Sequence, residues 1–123
     1  ILQYVDRNTK AKIIMAPGTY NPVTQAALSE STIQFFKNYY IDKAFISVLG
    51  IDLDFGASIP SMSDAIVKKS ILDCSNKKIC MVDHTKFNKK YMSKIANIDD
   101  FDIIITDSKL DNDIQHEKIR RAH

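Results

Sequence analysis

The apolar positions change their period along the chain. Lys12 to Ala16 (KIIMA) is a short β-branched run stopped by Pro17-Gly18, which predicts a strand ending in a turn. Tyr20 to Leu28 predicts a second, weaker strand. From Ser31 the spacing lengthens: Ser31-x-x-Gln34 has the form of a capping box, and Ile33 with Phe36 supplies the stripe of a short helix.

Lys43 to Leu49 (KAFISVL) is apolar on both faces, the pattern of a strand buried under helices on both sides. Gly50 to Pro60 carries two glycines, two aspartates and a proline with no sustained period, and predicts a loop. Ser61-x-x-Asp64 then opens a helix to about Asp73, with Met62, Ala65, Ile66 and Leu72 near one face. Lys78 to Val82 and Phe101 to Thr106 predict two further buried strands, and Asp113 to Arg121 a last helix.

From Lys43 onward the rhythm is strand, helix, strand, helix or loop, strand, helix. That order predicts an α/β fold, a mostly parallel sheet flanked by helices. Ligands of such sheets bind outside the carboxyl ends of the strands. Here that edge carries Gly50-Ile51-Asp52, Asp83-His84-Thr85-Lys86 and Thr106-Asp107.

Composition bounds the rest. At 123 residues, 45% hydrophobic and 26% charged, the chain has the size and balance of one globular domain. The net charge of +2 is spread along the chain, which gives no electrostatic footprint for nucleic acid. The basic end around Lys118, Arg120 and Arg121 is expected as the solvated end of the last helix. Cys74 and Cys80 fit free thiols in a reducing compartment, so a cytoplasmic location is expected; no apolar run suggests a membrane span and no histidine spacing suggests a metal.

Within the predicted rim, Asp83, Thr85 and Lys86 bring a carboxylate, a hydroxyl and an ammonium together just past a strand. Lys86 is suited to a phosphate or carboxylate, or alternatively pairs with Asp83 in a purely structural loop. Gly50 and Gly56 flank Asp52 and Asp54, where glycine either admits a ligand or merely turns the chain. His84 is a candidate proton carrier or a hydrogen-bonded side chain. No nucleophile elbow, Walker-type loop or dinucleotide fingerprint is present, so no catalytic residue and no cofactor is assigned.

Asp42-Lys43-Ala44-Phe45-Ile46, Gly50-Ile51-Asp52, Gly56, Asp64-Ala65, Lys68, Asp83-His84-Thr85-Lys86-Phe87 and Ile105-Thr106-Asp107 follow one another in an order and spacing that resembles the C-terminal sensor domain of DeoR-type bacterial transcription regulators. The resemblance covers about residues 12 to 120. It implies a fold akin to ribose-5-phosphate isomerase and the CoA transferases, truncated here and used for sensing rather than turnover. It implies a phosphorylated sugar or related metabolite as effector, and maps Asp52, Asp83 and Lys86 onto its pocket; Gly50, Gly56 and Thr85 complete the candidate site.

The chain departs from the family at Pro17-Gly18, Ser29 and Asn88, where the family usually has glycine. The resemblance also implies a winged helix-turn-helix and a phosphate-cradling loop before residue 1, and a further strand after His123. The chain is therefore expected to be a sensor fragment, residues 1–123, of a repressor whose missing N-terminal domain binds operator DNA. A homo-oligomer is expected, because palindromic operators are read by symmetric proteins. The alternative is an active sugar-phosphate isomerase or deaminase, with Asp52 or Asp83 as base and His84 as acid.

Overall fold

The computed structural model describes residues 10–16, 20–21, 26–27 and 30–122. In chain order its elements are β1 (Tyr20–Asn21), β2 (Ala26–Ala27), α1 (Glu30–Phe36), β3 (Ile41–Ile46), β4 (Gly50–Asp52), β5 (Gly56–Ile59), α2 (Met62–Asp73), β6 (Ser75–Met81), β7 (Ser93–Ala96), β8 (Ile103–Asp107) and β9 (Ile119–Ala122). Short 3₁₀ turns lie at His84–Lys86 and Ile98–Asp100.

The principal sheet is parallel throughout, in the order β3-β6-β8-β9. Beside it lies an antiparallel sheet, β4-β5-β7, and β1 pairs with β2 antiparallel. The α/β fold with a mostly parallel sheet is therefore as the rhythm of the sequence predicts. The core lies between the principal sheet, α2 and the antiparallel sheet, and is filled by residues such as Ile46, Ile51, Cys80, Phe101 and Ile104.

Helix α2 begins where the sequence places it. Ser61, in extended conformation, caps it by accepting from the Asp64 amide at 3.3 Å. Ala65 and Leu72 are buried as expected, but Met62 and Ile66 are exposed and Val67 is buried instead. The helix meets both α1 and the sheets, so its buried surface is wider than one stripe.

Four expectations are corrected. The run Gly50 to Pro60 is a hairpin of two short buried strands, because its glycines serve close packing of backbones rather than a loop. Asp113 to Arg121 is not helical: the described chain turns at Asp111 to Ile114 and enters β9, parallel to β8. Ile114 and Ile119 are too far apart to share one turn of a helical stripe, while a buried Ile119 fits the sheet. The basic residues there grip turn carbonyls, with Arg121 donating to Asp111 and Ile114 and Lys118 to Asp99. Lys12 to Ala16 forms no strand and is largely exposed.

The fourth correction concerns β3. Its burial alternates, with Ala44, Ile46 and Val48 buried but Phe45 60% exposed, and Met81 of β6 is 48% exposed. One face of the strand is covered and the other faces outward, which is the one-sided pattern rather than the doubly covered one. Strand β7 was not anticipated, because Ile95 and Ala96 are its only apolar residues. The Pro17-Gly18 turn and most of Tyr20 to Leu28 lie outside the described residues.

Candidate functional site at the strand ends

Because β3, β6 and β8 run parallel, their carboxyl ends share one edge. The Val82 amide donates to the Ile105 carbonyl at 3.0 Å, extending the β6 and β8 alignment to the start of the rim. There the chain enters the 3₁₀ turn, with Asp83 as its cap.

Asp83 Oδ1 accepts from the Thr85 amide at 2.8 Å and also from the Thr85 hydroxyl. The hydroxyl bond first, then the amide, holds the Asp83 carboxyl below its usual pKa. Lys86 Nζ lies 3.8 Å from Asp83 Oδ2, too far for a hydrogen bond. The ammonium is thus placed by the turn but only loosely partnered.

His84 turns the other way. Its amide donates to Asp107 Oδ1 at 2.8 Å, and its ring Nδ1 lies 2.7 Å from Asp107 Oδ2. Desolvation pushes the Asp107 carboxyl up, but the two bonds from His84 and its charge outweigh this and leave it below its usual value. A cleft of about 440 Å³ opens beside this junction, lined by Asp83, Thr106, Asp107, Ser108 and Lys109 over an apolar floor that includes Met81 and Ile105.

The Gly50 segment joins the rim only indirectly. Ile51 forms a parallel bridge with Phe87, and the Lys89 amide donates to the Ile51 carbonyl at 3.4 Å. A Cβ on Gly50 would lie 2.6 Å from the Lys89 carbonyl oxygen, so this glycine lets two backbones pass. Gly56, at φ 109°, would place a Cβ 2.2 Å from the Ala96 carbonyl oxygen. Asp52 Oδ2 accepts from the amides of Asp54 and Phe55 at 3.1 and 2.7 Å and so closes the β4-β5 turn. Gly50, Asp52 and Gly56 thus shape the β4-β5 hairpin, whereas Asp83, Thr85, Lys86 and Asp107 meet at the rim.

Sequence reasoning missed the tie between His84 and Asp107, two residues far apart in the chain. It also missed Lys109, whose only signal is a cation two residues past a strand-end aspartate. Among the described residues no group of three His, Cys, Asp or Glu side chains is placed to hold a metal, and no helix is long and apolar enough to cross a membrane. Cys74 and Cys80 are free, and burial pushes the Cys80 thiol up to about 12.

A family model described as the DeoR C terminal sensor domain matches residues 1–108. The chain belongs to this family. Curated DeoR-type relatives include the transcriptional repressor AccR of Agrobacterium fabrum, 28% identical over 88% of this chain and 42% of its own length. The putative aga operon transcriptional repressor of Escherichia coli O157:H7 is 27% identical over 90% of this chain and 41% of its own. The glycerol-3-phosphate regulon repressor of Escherichia coli K12 is 26% identical over 79% of this chain and 38% of its own. The DeoR sensor chain thus spans about two-fifths of the length of the relatives it matches, and these are named as repressors.

One departure from the DeoR pattern now has a physical reading. Asn88, standing where the family usually has glycine, takes a left-handed φ of 58°. Asparagine is among the few residues that tolerate that conformation, so it suits the turn after Phe87.

Proposed function

We propose that this chain is the effector-sensing part of a bacterial repressor of sugar metabolism, and that a phosphorylated sugar or related metabolite binds at the carboxyl edge of its parallel sheet. The observation that carries the reading is the strand-end cleft lined by Asp83, Asp107 and Lys109, with the loosely partnered Lys86 ammonium on the turn that Asp83 caps. A charge-assisted bond from such a lysine to a phosphate contributes about 1.5–3 kcal/mol. Asp83 and Thr85 set the turn that presents it, and Asp107 anchors that turn to β8. Gly50, Asp52 and Gly56 act by shaping the hairpin that abuts the rim.

In this reading a helix-turn-helix precedes the sensor in the full-length protein, and a homo-oligomer reads operator DNA in the cytoplasm. Effector binding alters DNA affinity by favouring one of two domain or subunit arrangements. Calorimetry of the full-length protein against a panel of sugar phosphates is the test: saturable binding that Lys86→Ala weakens supports the assignment, and unchanged affinity removes Lys86 from the site.

The isomerase or deaminase reading draws on the His84–Asp107 pair, a histidine oriented by a carboxylate. Turnover of ribose 5-phosphate or glucosamine 6-phosphate would favour it, and binding without turnover favours the sensor.

A further inference from the structure

The edge opposite the rim carries a cleft of its own. Helix α2 ends at Asp73, just before β6, and the 3₁₀ turn Ile98–Asp100 ends shortly before β8, so both stand at the amino ends of these parallel strands. Between them opens a cleft of about 250 Å³. Leu72, Ile95 and Ala96, all buried, form its apolar floor, and Lys69, Asp73, Lys78 and Asp100 complete its lining.

Two ammonium groups and two carboxylates thus share one small space. Among the described residues none of the four makes an ion pair. Local bonds hold two of them in place: Lys78 Nζ donates to the Ser75 carbonyl at 3.0 Å, and Asp100 Oδ2 accepts from the Asn97 amide at 2.8 Å. Lys69 and Asp73 are four residues apart on α2 with the cation first, the weaker order for a helical pair.

Asp73 also stands in an unfavourable place. It is the last residue of α2, at the negative end of the helix dipole, and no basic residue in that turn balances it. A bound cation would relieve Asp73 but face Lys69 and Lys78, and a bound anion would face Asp73 and Asp100. Like charges brought together this way oppose binding, so the lining selects a ligand that carries both signs. The cleft is smaller than the roughly 300–1,000 Å³ of sites that hold drug-sized molecules, so that ligand is small. We propose that the cleft binds a zwitterion, an α-amino acid with a short apolar side chain. Its ammonium lies between Asp73 and Asp100, its carboxylate between Lys69 and Lys78, and its side chain on Leu72, Ile95 and Ala96. The site shares no residue with the rim cleft and does not rest on the phosphate reading made there.

The test is an NMR titration of the protein with L-alanine and, separately, with acetate and methylammonium, which carry its two charges singly. Saturable shifts at the Asp73, Ile95, Ala96 and Asp100 amides are expected with L-alanine, and each single ion binds at least about tenfold more weakly. Lys69 and Asp73 are exposed, so Lys69→Gln and Asp73→Asn keep the fold. Each weakens the binding by about tenfold, Asp73→Glu retains most of it, and Lys86→Ala leaves it unchanged. An absence of saturable shifts with L-alanine, equally tight binding of acetate or methylammonium, or full binding in Lys69→Gln and Asp73→Asn would each overturn the proposal. Shifts confined to Thr85 and Lys86 would also overturn it while leaving the rim reading standing, so the two assignments fail separately.

Discussion

His84 and Asp107 meet through both the backbone and the ring of the histidine, at 2.8 and 2.7 Å from the two oxygens of one carboxylate. The aspartate at the end of β8 is therefore the anchor of the turn that follows β6. Asp107→Asn keeps the shape but removes the charge that both contacts use. We expect faster amide exchange from His84 to Lys86 and a lower urea midpoint than the parent's, read by hydrogen exchange and urea unfolding.

Acid should act at the same place. The folded-state values of Asp83 and Asp107 are both depressed from 3.8. The unfolded chain then takes up protons first, so the stability these groups contribute is fully present above their unfolded values and is lost as pH falls through the folded ones. Urea midpoints measured from about pH 5 down to pH 2 should fall more steeply for the parent protein than for a variant carrying Asp83→Asn and Asp107→Asn. Equal slopes would show that neither carboxyl is linked to folding.

Gly56→Ala should be among the most damaging single changes. The added carbon would meet a backbone oxygen at 2.2 Å, at a φ of 109° that side chains rarely adopt. A loss of at least about 2 kcal/mol is expected by chemical unfolding. A loss below about half a kcal/mol would mean that β5 and β7 do not approach as described.

The two faces of the principal sheet should respond differently to truncation. Ile104 is fully buried and Phe45 mostly exposed. Ile104→Ala should cost about 3 kcal/mol and Phe45→Ala less than about 1 kcal/mol. Comparable losses would show that the outward face of β3 is covered.

Removing the α2 cap is a milder test. Ser61→Ala deprives the Asp64 amide of its acceptor and should lower stability by about 1 kcal/mol, while Ser61→Asp should retain most of it. Equal stability in all three proteins would mean that solvent serves that amide as well as the hydroxyl does.

Strands β3, β6 and β8 and helix α2 were legible because their signals are local: apolar runs for the strands, and a serine with an aspartate three residues later for the helix. The hairpin was not, because glycine reads as a break until the neighbouring backbone is known; only the approach of Lys89 and Ala96 gives Gly50 and Gly56 their purpose. Strand β9 was missed because its burial rests on one isoleucine and its pairing on β8, a non-local partner. At the rim, Asp83, Thr85 and Lys86 could be grouped by adjacency. The bond from His84 to Asp107, and the cleft that Lys69 shares with Asp100, depend on elements brought together by folding.

The bridge between Ile51 and Phe87 has a mechanical result. With Asp107 holding its start and the β4-β5 hairpin holding its end, the turn carrying Lys86 is clamped like a short beam at two supports. Both ends of that turn are thus fixed, the first to the principal sheet and the second to the smaller one.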